Sequence, residues 1–144
     1  MAVGGLGELP LNARVTVDSA PIIYFHEDHP RLAARFAPVF DAAARGELSI
    51  FVSTITVAEV MAGPFKARND ILAGQYHEAF RGSRNWEIVP VTEEIAILAA
   101  RIRAVRGLRL PDAIQVATAV ATGSFGLVTH DIDFSKVQEI KIIS

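Results

Sequence analysis

The stretch Leu110-Pro-Asp-Ala-Ile-Gln-Val-Ala-Thr-Ala-Val-Ala-Thr-Gly-Ser-Phe-Gly-Leu-Val-Thr-His-Asp131 is a helix that hands over to a strand. Pro111 suits a first helical position, and Gly123 suits the residue just past a helix end. Between them Ala113, Ile114, Val116, Ala117, Val120 and Ala121 leave almost no polar face, so the spacing predicts a deeply buried helix over 111–122. Gly126–Thr129 then reads as a short strand, followed at once by Asp131 and Asp133. Ala113 to Thr129 carries no charge, but Gln115, Thr118, Thr122, Gly123, Ser124 and Gly126 interrupt it. A bilayer span needs about 20 mostly apolar residues, so this run belongs to a protein core.

The same alternation extends outward. Thr92–Arg106 is a helix that Thr92 can cap, with Glu93 and Glu94 at the positive end of its dipole. Its expected buried stripe is Ile95, Leu98, Ala99, Ile102 and Val105. Arg14–Asp18, Leu48–Val52, Trp86–Val91 and Glu139–Ile143 read as strands. Pro21–His26, Pro30–Arg45, Thr56–Met61 and Arg68–Arg81 read as helices, with Gly63-Pro64 as the expected stop of the third. Strands alternating with helices imply βαβ units and a parallel sheet, hence the α/β class. Residues 1–12 are glycine-rich and aperiodic, a loose arm or an added first strand.

Composition narrows the function. At 144 residues, one domain with a sizeable core is expected. The absence of cysteine removes disulfide scaffolds, thiolate metal sites and thiol nucleophiles, and fits a reducing cytoplasm. The start has no basic run before Glu8, so it does not read as a signal peptide. A net charge of −2 argues against a broadly basic nucleic-acid surface.

Ligands of open α/β sheets gather beyond the carboxyl ends of the strands. The residues placed there are carboxylates: Asp18 ends the first strand, Glu59 follows the second by a helical turn, Asp112 opens the buried helix, and Asp131 and Asp133 follow the next strand. Each has a plain structural alternative. Asp18 suits a turn or cap, Thr56-Val-Ala-Glu59 matches a capping box, Asp112 favours a helix dipole, and the last two suit a loop. Together they would repel one another unless a cation lay between them, and hard Mg²⁺ or Mn²⁺ suits an all-oxygen set.

At these residues the sequence resembles the PIN-domain family, and within it the VapC-type ribonuclease toxins of toxin–antitoxin modules. Val15-Thr-Val-Asp18-Ser19, Ser53-Thr-Ile-Thr-Val-Ala-Glu59-Val-Met-Ala-Gly63, Leu110-Pro-Asp112-Ala-Ile-Gln-Val-Ala-Thr-Ala119 and Val128-Thr-His-Asp131-Ile-Asp133-Phe134 are similar to its four motifs, in order, over roughly residues 14–143. The resemblance implies a three-layer α/β/α fold with a central, mostly parallel sheet of about four to five strands. The arm would be residues 1–12 and a single nuclease domain 13–144. It also implies a Mg²⁺- or Mn²⁺-dependent endoribonuclease, with Asp18, Glu59, Asp112 and Asp131 as catalytic, metal-holding acids. The fourth motif is a residue shorter than in many members, so Asp133 stands as the alternative to Asp131. Ser19, Ser53 and Thr129 are candidate donors to the carboxylates. Implied partners are RNA, a cognate antitoxin and a second copy of the chain, with no membrane.

Six arginines, Arg81, Arg84, Arg101, Arg103, Arg106 and Arg109, fall in one span against Glu87, Glu93 and Glu94. Arg109, nearest to Asp112, is the leading candidate for RNA contact, although a solvated helix face accounts for most of the six equally well. His26-Glu-Asp-His29 has metal-ligand spacing but reads as an exposed turn before Pro30. Two rival readings are a non-toxin PIN nuclease of RNA processing and a receiver-like Mg²⁺-binding signalling domain. The latter usually pairs acids at the first strand, where this chain has Asp18 alone.

Overall fold

The computed structural model describes residues 3–144; Met1 and Ala2 of the arm lie outside them. The strands are β1 (Val3–Gly4), β2 (Ala13–Val17), β3 (Leu48–Ser53), β4 (Trp86–Val89), β5 (Gly126–Val128) and β6 (Ile142–Ile143). The helices are α1 (Ser19–His26), α2 (Leu32–Ala44), α3 (Thr54–Lys66), α4 (Asp70–Gly82), α5 (Glu93–Arg106) and α6 (Leu110–Ala121). The strands form one sheet in the order β1-β6-β5-β2-β3-β4, with every pair parallel. The arm supplies the outermost strand, which is why the sheet has six strands rather than four or five.

Neighbouring strand residues point to opposite faces, and here they enter two separate cores. Val128 and Ile143 join Phe36, Val39, Phe40, Tyr76 and Phe80 on the side of α1–α4. Leu127 and Ile142 join Ile95, Ala99, Ile102, Val116 and Phe134 on the side of α5 and α6. The result is a three-layer α/β/α sandwich. In α6 every residue from Asp112 to Ala119 is buried, as its all-round apolar pattern predicts. No helix of the described residues is long and apolar enough to cross a membrane.

Several expected boundaries move for identifiable reasons. Ser53 caps α3 by accepting a hydrogen bond from Ile55 N at 3.2 Å. The helix therefore starts before Thr56, and the Thr56–Glu59 capping box does not form. It also runs through Gly63-Pro64 to Lys66, with Pro64 buried; the proline forgoes its own bond to Val60 O, and the end is closed by Ala67 N donating to Gly63 O at 3.0 Å and Asn69 N to Pro64 O at 2.8 Å. Val105 was expected in the α5 stripe but is 66% exposed. Ten residues on from Ile95, the helical advance carries it roughly 80° round the axis. Of 139–143 only Ile142–Ile143 pair as a strand. Thr92 caps α5 as expected, accepting from Ile95 N at 3.2 Å.

The chain leaves β2 toward β3 on one side and returns much later to β5 on the other. The carboxyl ends of β2 and β5 thus form the topological switch point of the sheet. At the opposite, amino end of β5, Gly126 allows β6 to close on the strand: a Cβ would stand 2.9 Å from the Lys141 carbonyl oxygen and 2.4 Å from Ile143 Cδ1. Gly126→Ala is expected to destabilise the fold by about 1–3 kcal/mol, seen as a lower urea midpoint at unchanged m-value.

Candidate active site

Asp18 follows β2 directly, and its backbone N–H donates to Val128 O across the switch point at 2.9 Å. Its side chain is 9% exposed. Oδ1 accepts from Ser19 N at 2.8 Å and from Gln115 Nε2 at 3.3 Å, while Oδ2 accepts from Thr129 Oγ1 at 2.8 Å. Each carboxylate oxygen has two lone pairs. Oδ1 is therefore saturated, and Oδ2 keeps one pair for a further partner. Burial dominates its acidity and pushes the carboxyl up to about 6, against the pull of Thr129 and Ser19 and with help from the Glu59 and Asp112 charges.

Asp112 opens α6 and is 6% exposed. One oxygen each of Asp112, Asp131 and Asp133 lies within 4.8 Å of the other two. Burial raises the Asp112 carboxyl, the Arg109 guanidinium opposes that shift, and the charges of Asp131 and Asp133 add to it. Arg109 Nε donates to Asp112 Oδ2 at 3.2 Å, while the arginine side chain stays 71% exposed. Asp131 is half-buried, and its Oδ1 caps the short 3₁₀ turn Ile132–Lys136 by accepting from Asp133 N at 2.9 Å. That turn brings Asp133 back beside Asp131, so both loop acids face Asp112 and the fourth motif contributes two carboxylates to the group.

Glu59 is exposed on α3 and accepts from Ser19 Oγ at 2.8 Å. Ser19 and Thr129 thus each hold an acid. Ser53 instead caps α3, and its hydroxyl serves the helix. Thr129 Oγ1 also accepts from Asp131 N at 3.1 Å, linking the two ends of the site. Gln115 and Thr56 complete the surroundings of Asp18 without belonging to the expected set of site residues. Gln115 lies on α6 one turn beyond Asp112, 1% exposed, and its Nε2 donates to both Asp18 and Thr56 Oγ1. The available signal was a lone amide on an otherwise apolar helix at i+3 from an acid.

Among the described residues the histidines enter no metal-ligand cluster. His29 Nδ1 accepts from Leu32 N at 3.1 Å at the start of α2, and His26 packs against Tyr76. His130 is exposed and sets its ring edge-on to Tyr24 and Phe36.

The family model of the PIN domain matches residues 15–140. The chain belongs to the PIN domain family. A search of curated proteins finds no match. Among solved structures, VapBC2 from Rickettsia felis, bound to a DNA fragment from its promoter, is similar at 19% identity and a TM-score of 0.71, over 90% of this chain and 96% of that one. A toxin–antitoxin complex from Klebsiella pneumoniae is similar at 22% identity and 0.69, over 90% and 96%. VapC20 of Mycobacterium tuberculosis, a sarcin–ricin-loop-cleaving toxin, is similar at 16% identity and 0.69, over 88% and 98%. The likeness is one of fold.

In this PIN domain the buried Asp18 works against stability. Its folded-state carboxyl titrates near 6 against 3.8 when unperturbed, so folding favours the protonated form. The penalty is complete above about pH 6 and gone below about pH 4. Asp18→Asn should therefore raise the metal-free melting stability at pH 7.5 by on the order of 2 kcal/mol. The gain should vanish at pH 4, as followed by thermal unfolding at both pH values.

Proposed function

We propose that this PIN domain, residues 13–144 carrying the arm 1–12, is a Mg²⁺- or Mn²⁺-dependent endoribonuclease and the toxin of a VapBC-type pair. The observation that carries the reading is the convergence of Asp112, Asp131 and Asp133 within 4.8 Å of one another at the switch point of the sheet, with Asp18 near enough to feel the charges of Asp112 and Glu59. Their only ion pair among the described residues is the one between Arg109 and Asp112. Like charges so placed are costly without a cation. The donor set is entirely oxygen, which fits a hard divalent ion and disfavours zinc.

Asp112, Asp131 and Asp133, with the spare lone pair of Asp18 Oδ2, would hold the ion. When bound, the ion would activate water and offset charge on the phosphate undergoing in-line displacement. The protein's own groups prepare that chemistry. Three donors fix Asp18, so it needs little reorganisation. Ser19 holds Glu59 at the exposed rim, where the carboxylate can accept a hydrogen bond from the attacking water. The exposed Arg109 guanidinium stands ready for a phosphate of the RNA backbone, a contact that positions without specifying sequence.

RNA as substrate is supported by the sarcin–ricin-loop-cleaving neighbour, and an antitoxin partner by the toxin–antitoxin complexes of the same fold. A homodimer acting in the cytoplasm completes the proposal. Ile97 and Val105, exposed on α5, are apolar surface that a second copy could cover.

Purified protein should cleave single-stranded RNA with Mg²⁺ or Mn²⁺ and not with EDTA, and Asp112→Asn should abolish cleavage while remaining folded. Equal cleavage by the two proteins would overturn the assignment. Acyl-phosphate formation on an aspartate would point instead to a receiver-like domain. Arg109→Ala should weaken RNA binding evenly across sequences and reduce the salt slope of binding by about 1, as measured by fluorescence anisotropy with the non-cleaving Asp112→Asn chain as background.

A further inference from the structure

Gln115 is a buried amide with one half unsatisfied. It is 1% exposed; Nε2 donates to Asp18 Oδ1 at 3.3 Å and to Thr56 Oγ1, and Oε1 is buried with no hydrogen-bond partner. Nearly all buried polar atoms are partnered, because an orphaned one loses its water without recompense. A methionine of similar length would carry no orphaned oxygen of its own, although it would also withdraw the donor that Thr56 Oγ1 and Asp18 Oδ1 have in Gln115. Packing therefore does not account for an amide here.

What the amide supplies is its pair of N–H groups and the elements they join. Asp18 ends β2, Asp112 lies one turn before Gln115 on α6, and Thr56 sits on α3 one turn before Glu59. One side chain thus ties together the three elements that carry these acids. Reversing the amide would turn its carbonyl oxygen toward the Asp18 carboxylate, so the negative charge of Asp18 sets the orientation. Ser19 N and Thr129 Oγ1 also hold Asp18, but only Gln115 fixes it relative to the helix that bears Asp112.

We propose that Gln115 is a positioning residue that sets Asp18 against Asp112 for divalent-cation binding, held in turn by Thr56, at a cost to the stability of the fold. The proposal rests on the metal-dependent reading above. The experiment measures Mn²⁺ affinity by the electron paramagnetic resonance of free Mn²⁺, melting temperature without metal, and kcat and KM on RNA, for wild type, Gln115→Met, Thr56→Val and the double variant. Gln115→Met should melt close to the wild type, and the double variant, which removes both Gln115 Oε1 and the Thr56 hydroxyl, at the same or a higher temperature; Gln115→Met should bind Mn²⁺ about 10–100-fold more weakly and lose kcat at unchanged KM. Thr56→Val should weaken Mn²⁺ binding less, and the double variant should be no weaker than Gln115→Met alone, because both act through one amide. A lower melting temperature with unchanged Mn²⁺ affinity in Gln115→Met would make the residue a filler of the core and overturn the proposal. Should Gln115→Met fail to fold, unchanged affinity in Thr56→Val overturns it. A wild type that binds no Mn²⁺ overturns the metal reading and this one with it. A wild type that binds Mn²⁺ but leaves RNA intact overturns the nuclease reading alone.

Discussion

The structure is organised around a carboxylate that the sheet buries. Asp18 stands at the end of β2, which has β5 on one side and β3 on the other, so its backbone is committed to the ladder and its side chain lies between the layers. An ionised group in that position is strongly disfavoured unless it is hydrogen-bonded or paired. The chain answers with donors from three places: the first turn of α1, the interior of α6 and the residue after β5. Each donor fixes a piece of backbone as well as a charge. The helices therefore dock on the sheet partly through the acid they surround. Local order at the site and the global packing of the two cores are one problem with one solution.

Much of this was legible in the residues. The all-round apolar α6, the two-residue reach from Gly123 to the next short strand, and acids placed after successive strands required an α/β sheet with its chemistry at one edge. Those signals are strong because they rest on periodicity and on the rarity of charge in buried segments. What was not legible depended on partners far apart in sequence. Thr56 matches a capping pattern, yet Ser53 caps α3, because the strand ends early enough for the helix to begin at Thr54. That shift turns Thr56 inward to Gln115 and leaves Glu59 at the surface with Ser19. Gly63-Pro64 reads as a stop, yet α3 continues two residues past the proline and is closed by bonds from Ala67 N and Asn69 N that the sequence does not announce. The choice between Asp131 and Asp133 had no sequence solution, since a 3₁₀ turn brings both beside Asp112.

The charge balance has a spatial explanation. A total of −2 averages over a site holding five acids and a remainder with 14 basic groups against 11 acidic ones. The low net charge thus conceals a local excess of negative charge at one sheet edge and a mildly basic surround. Nothing in the total distinguishes that arrangement from a neutral surface, whereas the position of each acid relative to a strand end does.

Burial across the site runs in a gradient, and the topology produces it. Asp18, on a central strand, and Asp112, at the head of the buried helix, are nearly dry; Asp131 is half-buried; Asp133 and Glu59 meet solvent. Water screens repulsion on the outer side, where the loop after β5 and the surface of α3 place their acids. On the inner side, where screening is weak, repulsion and desolvation push acidity down in Asp18 and Asp112. A cation entering from solvent would first meet the exposed carboxylates and then approach the two whose burial raises their carboxyl groups. The inner pair would gain most from its charge, since an opposite charge nearby favours ionisation. Under the proposed metal-dependent reading, such a site would trade stability of the empty fold for affinity toward a small, highly charged ion. That trade would require the inner carboxylates to be fixed beforehand, and the donors to Asp18 from α1, α6 and the end of β5 fix one of them.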